Sequence, residues 1–224
     1  MALTPDPWLS GILGKPAYHL TDGEFVAPGG KAFVDTKVPE ADHAGVQRLQ
    51  NLGFAVMDIN VQFTRPAGPL HPSQVPVRAA VAGDEAGVRA LAADAFVFDR
   101  FHRDPAIGRV AACRVKAEWA GNYFAGKRGD RMIVADDEAG ICGFLQLLRA
   151  RDGGTIIDLV AVAGRSRGQG IARAMIAQAA NAADTGSMMV GTQIANQPSI
   201  ALYQSLGFAR ASTSHVLHFH KDTT

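Results

Sequence analysis

The chain has 224 residues, 47% of them hydrophobic, with 22 Lys+Arg set against 21 Asp+Glu. That length buries a core, as one large domain or two small ones, without needing a disulfide or metal staple. The charge balance excludes the basic groove that tracks a nucleic-acid backbone, so no nucleic-acid partner is expected.

The first twenty residues carry Pro5, Asp6 and Pro7 and lack the basic start and apolar run of a secretory signal. No later stretch reaches the ~18 uninterrupted apolar residues of a membrane span, so the expectation is a soluble cytoplasmic protein with no membrane partner. Next, "KAFVDTKV" alternates as a strand, "PEADHAGVQRLQNLG" has helical apolar spacing ending at Gly53, and "FAVMDINVQFTR" returns to period two. The first unit is thus strand, helix, strand over 1–68. Four prolines and a glycine in "RPAGPLHPSQVP" interrupt both periodicities, which places a linker at 69–76 before a second unit, 77–224.

The second unit opens with a strand "VRAAVA", a helix "DEAGVRALAADAF", a loop "VFDRFHRDP" and a helix "AIGRVAACRVKAEWAGNYF". Three strands follow, "RMIVADD", "ICGFLQLLRA" and "TIIDLVAVA", then a helix from Gly168 to Asn181. A strand "SMMVGTQI", a helix "QPSIALYQSLG" and closing strands through "HVLHFH" end the pattern. This mixed order predicts an α+β fold with helices on both faces of one central sheet. Cys113 and Cys142 lack CxxC spacing and read as reduced thiols. The seven histidines form no metal-ligand spacing, and His215, His218 and His220 fall on the last strand, so no metal site is expected.

The stretch "LVAVAGRSRGQGIARAMIAQA" sends an apolar strand through a loop with Gly164, Gly168 and Gly170 into a helix. The first amides of a helix have no intrahelical partner, and with the helix dipole they attract anions such as phosphate. A Walker loop is ruled out, because Gly170 is followed by Ile171 and Ala172 rather than Lys and Ser/Thr. A dinucleotide fingerprint from Gly168 would want Gly or Ala where Arg173 stands, and no acid ends the next strand. The spacing Arg165-x-x-Gly168-x-Gly170 directly after "LVAV" is instead similar to the pyrophosphate motif of the GNAT acyl-CoA N-acyltransferase superfamily. Downstream, "GTQIANQPSIALYQSLGF" resembles that superfamily's later motif.

The resemblance covers 77–221. It implies a GNAT fold, with a central mixed, mostly antiparallel sheet flanked by helices and preceded by a smaller strand-helix-strand unit. It also implies acetyl-CoA as acyl donor. Carried over by position, Val160, Ala161 and Val162 supply main-chain contacts. Arg165, Arg167, Gly168, Gln169, Gly170, Ile171 and Ala172 hold the pyrophosphate, and Asn196 contacts the cofactor. Tyr203 then faces the thioester sulfur as general acid, and Gly207 and Phe208 begin the last strand. A tyrosine hydroxyl, with a pKa of ~10 against ~8.5 for a thiol, is protonated at neutral pH and suited to that role.

The segments "LQNLGFAVMDINVQFTRP", "DRFHRDP" and "AEWAGNYF" further resemble the branch containing dTDP-fucosamine acetyltransferase, which acetylates a nucleotide-linked 4-amino sugar. One departure is that the loop here is a full RxxGxG with two arginines, more ordinary for GNAT proteins than for that branch. The implied acceptor is a small-molecule primary amine, with Asp58 as candidate base through water and Asp158 as its rival. Arg100, His102, Arg103, Trp119 and Tyr123 are candidate acceptor contacts, Arg for its bidentate fork toward a diphosphate and an aromatic for stacking. A protein N-terminus, polyamine or other small amine remains an alternative acceptor, and a non-catalytic acyl-CoA module a third reading. An exposed sheet edge in the first unit offers a pairing surface for a second copy, a homodimer. The phrases "LQNLGFA" and "YQSLGFA" repeat one helix-turn-strand device, with Leu49 standing where Tyr203 stands.

Overall fold

The computed structural model describes residues 3–21, 24–182 and 186–222. A short strand β1 (Leu3–Pro5), helix α1 (Pro7–Leu13) and strand β2 (Ala17–Leu20) precede the first predicted strand. The sequence gives little sign of them, since each is too short for a periodicity to build up. Asp6 caps α1 by accepting the Leu9 amide at 2.8 Å, and Gly14, in the left-handed region, ends it.

The predicted strand, helix and strand of the first unit follow as β3 (Ala32–Pro39), α2 (His43–Asn51) and β4 (Ala55–Arg65). Residues 66–77 form no regular element. Arg65 straps this segment down, donating to the carbonyls of Gly68 (2.8 Å), Pro69 (3.0 Å) and Leu206 (3.1 Å). Asn181 holds it from the other side through both the amide and the carbonyl of Leu70. The expected strand "VRAAVA" shrinks to β5 (Arg78–Ala79), because its remainder turns into the cap of α3 (Glu85–Ala95). Asp84 makes that turn by accepting the Val81 amide at 2.8 Å and a bidentate Arg78. Helix α4 (Gly108–Gly121), strands β6 (Arg131–Asp137), β7 (Gly140–Arg149) and β8 (Thr155–Val162), helix α5 (Ile171–Ala180), strand β9 (Met188–Gln193) and helix α6 (Gln197–Ser205) follow. The expected closing strands are one continuous strand, β10 (Ala209–Lys221).

The ten strands of the described residues form one sheet, in the order β1-β2-β3-β10-β4-β9-β8-β7-β6-β5. The pairs β2–β3 and β8–β9 are parallel and the rest antiparallel, as expected of a mixed, mostly antiparallel sheet. The outer strands, β1 and β5, have three and two residues, too short to template much edge pairing. The largest core packs α3 and α5 against β6 to β9, with Phe144, Leu145, Met175 and Ile176 fully buried. Helices thus cover the strands that carry the Gly-rich loop.

The sheet is palindromic about the β10–β4 pair. β3 flanks β10 as β9 flanks β4, and β2 runs parallel to β3 as β8 runs parallel to β9. The two helix-turn-strand repeats match bond for bond. Asp42 and Asn196 cap α2 and α6 by accepting the Gly45 and Ser199 amides. Phe54 and Phe208 each donate to the carbonyl five residues back, at Leu49 and Tyr203, both at 3.0 Å. β4 and β10 thus exchange places: β10 sits between β3 and β4, and β4 between β10 and β9. Among the described residues, 24–31 before β3 form no helix to match α5.

Candidate functional site

A cleft opens where β8 and β9 part. Their parallel ladder runs only from Thr155–Met188 to Ile157–Val190, so from Asp158 onward that edge of β8 has no ladder partner. Val160, Ala161 and Val162 lie on this splayed stretch, still paired on their other side with β7. Beyond them Gly168 and Gly170 have φ of +77° and +79°, a region that disfavours any residue with a Cβ. Gly170 caps α5 with no side chain, which leaves the amides at that helix start available to an anion. The resulting cavity, about 440 Å³, is lined by Val160 to Val162, Arg167, Gly168, Gly170, Ile171, Ala172 and Asn196, among others.

Two of the expected cofactor residues turn elsewhere. Arg165 donates to both oxygens of Asp137 (2.9 and 3.0 Å), holding that carboxyl down at about 2, while Gln169 reaches back to the Arg165 carbonyl. Both side chains line a neighbouring surface with Asp137 and Cys142 instead. The geometry suits a diphosphate held by backbone, with Arg167 and Arg173 as cationic residues on the cleft wall.

A second cavity of about 330 Å³ adjoins the first, and Phe96, Asp99, Val160, Gln193, Asn196 and Ser199 line both. Its floor is β4. A register irregularity sets Val56 and Asp58 opposite the consecutive residues Leu217 and Val216, and Asp58, Asn60 and Gln62 then line the cavity at period two. Asp58 is 4% exposed, and burial raises its pKa to about 6 against the opposing Ile59 amide (2.7 Å) and the charge of Arg103.

Asp158 is the unpaired residue of a matching irregularity in β8, and its two oxygens are fully engaged. Arg128 donates to both (2.8 and 2.6 Å), and Trp119 (2.9 Å) and Gln146 (3.1 Å) donate to Oδ2. Asp158 therefore reads as a brace. Asp158→Ala is expected to lower the unfolding free energy by about 2–3 kcal/mol, because a buried charge network and the Trp119 N–H lose their acceptor; urea denaturation checks it.

Tyr203 faces the same cavity from α6 and is 2% exposed. Its ring packs near Phe63 and Phe208, with Ser199 one turn earlier on the same helix. Burial pushes its pKa above the ordinary tyrosine value, so it holds its proton throughout the neutral range.

The expected acceptor contacts divide. Arg100 and Trp119 line the second cavity, Arg100 paired behind it with Asp35. His102 turns away to Asp99 and Cys113, Arg103 is exposed, and Tyr123 packs edge-on against Phe124; none of the three lines either cavity. The physical reason for Tyr123 is that α4 ends at Gly121, so the helical i, i+4 spacing from Trp119 does not hold.

Sequence reasoning placed "DRFHRDP" and the helix bearing Lys116 at the acceptor side but missed Arg128 and the pairing of Asp99 with Lys116. Lys116 is buried, with its ammonium over the rings of Phe96 (4.9 Å), Trp119 (5.0 Å) and Phe101 (5.8 Å) and 3.8 Å from Asp99. Burial pushes its pKa below the usual lysine value against the pull of Asp99. An aromatic at i+3 from a lysine was the one available signal.

Among the described residues, Asp104, His218 and His220 form a cluster with potential ligand atoms within 4.8 Å of one another. Both imidazoles meet Asp104 Oδ2, at 2.6 and 2.7 Å. Two ligands of one zinc ion at ~2.0–2.1 Å would stand farther apart than that. Lys15 also sits 3.1 Å from the other nitrogen of His220. The cluster is a hydrogen-bonded clasp between the 99–107 loop and β10.

Comparison with known proteins agrees with this geometry. Over 139 residues, 61% of this chain, it is 32% identical to the spore coat polysaccharide biosynthesis protein SpsD of Bacillus subtilis (strain 168). The matched stretch spans about half (47%) of that relative's length. A conserved Staphylococcus epidermidis protein of unknown function superposes with TM-score 0.64 at 16% identity, over 86% of this chain and 73% of the other. A putative GNAT-family acetyltransferase from Novosphingobium aromaticivorans follows at 0.58 and 16%, over 85% and 74%. A tandem GNAT protein from the clavulanic acid biosynthesis pathway gives 0.59 at 13%, over 92% and 76%. At these identities the structures speak to the fold alone. Residues 128–210 match the acetyltransferase (GNAT) domain model, and the splayed β8–β9 pair, the Gly-rich turn and the helix bearing Tyr203 all lie inside that match.

Proposed function

We propose that the protein is an acetyl-CoA-dependent N-acetyltransferase whose acceptor is the primary amine of a nucleotide-linked amino-deoxy sugar. One observation carries the reading: a buried carboxylate, Asp58, and a buried phenol, Tyr203, line one cavity that shares its wall with the phosphate-binding cleft. The sugar acceptor draws support from the polysaccharide-biosynthesis role in the relative's name.

When bound, acetyl-CoA supplies an acetyl group activated as a thioester. The N–H groups of Val160 and Val162 face the edge freed by the splay, that of Ala161 facing β7, and these two hold the acyl carbonyl and support negative charge on its oxygen. Asp58 takes the proton of the arriving ammonium, directly or through one water, and a pKa near 6 leaves it ionised yet basic enough at neutral pH. Attack by the free amine forms the carbon–nitrogen bond and breaks the carbon–sulfur bond, and the nitrogen sheds its second proton to solvent as the amide is made. Tyr203 gives its proton to the departing sulfur and recovers one from solvent. Lys116 and Trp119 shape the acceptor side of the cavity.

Thiol release measured with acetyl-CoA and a panel of amines tests the reading. Turnover is expected with nucleotide-linked 4-amino-4,6-dideoxy sugars and not with diamines or peptides. Turnover on amines of those other classes alone would overturn the sugar acceptor. Thermal stabilisation by acetyl-CoA with no turnover on any amine would mark a non-catalytic binding module.

A further inference from the structure

We propose that Cys113 is a thiol–disulfide exchange site, in which His102 removes the thiol proton and Asp99 orients the imidazole. The inference does not rest on acetyl transfer. Three side chains from two segments make the arrangement. Cys113 projects from the middle of α4, its Sγ 3.6 Å from His102 Nε2, and His102 Nδ1 lies 2.6 Å from Asp99 Oδ2.

The proton positions follow from the partners. Asp99 is buried, yet Lys116 and His102 outweigh that burial and hold its carboxyl below the usual range, so it is ionised and can only accept. His102 then carries a proton on Nδ1 toward Asp99, which turns Nε2 toward the thiol. Nucleophile, base and orienting carboxylate are thus in sequence. Cys113 is partly exposed, whereas Cys142 is buried at 1% exposure.

The setting selects the chemistry. Attack on an acyl carbon needs free donors for the oxyanion, and at Cys113 the backbone amides are committed to α4. Exchange with a disulfide needs only proton removal and an in-line approach. With a small symmetric disulfide R–S–S–R, the Cys113 proton passes to His102 and a bond forms from Sγ to one sulfur. The R–S–S–R bond breaks, and the departing RS⁻ takes a proton from His102 or solvent. One thiol is consumed and one released.

Glutathione disulfide is the probe, applied to the full chain near neutral pH with peptide mapping by mass spectrometry. Folded wild-type Cys113 is expected to form the mixed disulfide about tenfold faster than Cys113 in the His102→Gln variant. It should also react about tenfold faster than the same cysteine in the urea-unfolded chain. Equal rates in wild type and His102→Gln would overturn the proposal. So would a folded rate no higher than the unfolded one, a comparison that stands even if the variant does not fold.

Discussion

Tyr203→Phe is expected to lower kcat by about 100-fold or more, the usual contribution of a positioned general acid, while the Kd for acetyl-CoA changes little. The substitution removes one oxygen and keeps the ring, whose contacts with Phe63 and Phe208 at 6.0 and 5.8 Å hold α6 in place. Because burial raises the Tyr203 pKa, wild type should show no loss of activity assignable to this residue below the ordinary tyrosine range. A variant that turns over at the wild-type rate would take the sulfur's proton source away from Tyr203 and assign it to solvent.

Asp58→Asn should separate catalysis from stability, because its effects on the two have opposite signs. In wild type, kcat/KM is expected to climb with pH through about 6 as Asp58 ionises; the variant loses that limb and about 100-fold in rate at neutral pH. The folded state holds the Asp58 proton more tightly than the unfolded state, about 6 against 3.8. Its stabilising contribution is therefore complete below the unfolded pKa and is lost as pH rises through the folded one. At pH above 7 a two-unit difference corresponds to about 2–3 kcal/mol, so the variant, which never ionises, should resist denaturant better than wild type. A variant that is both slower and less stable would make Asp58 a structural residue.

Local pattern carried much of this fold. The strand-helix-strand of the first unit, the Gly-rich turn and the helix of Tyr203 all rest on short-range spacing, and each stands where the sequence places it. The insertion of β10 between β3 and β4 has no such signature, because it pairs residues far apart in the chain. Side-chain direction was the other hidden quantity. Nothing in "DRFHRDP" says that Arg100 faces a cavity while His102 faces a cysteine, and the two carboxylates Asp58 and Asp158 look alike as letters. What distinguishes them is who arrives from elsewhere: Arg128, Trp119 and Gln146 converge on one, and only a neighbouring amide on the other.

The strand exchange also dictates an order of events during synthesis. β3 and β4 emerge early from the ribosome, yet the strand that joins them is made after every other described element. Until then both present unpaired edges, and the polar row Asp58, Asn60 and Gln62 makes β4 a poor template for stray pairing. Contacts of such long sequence separation fold slowly. The wall that carries Asp58 thus takes its final form only as β10 docks, so the acceptor cavity is completed by one of the last steps of folding.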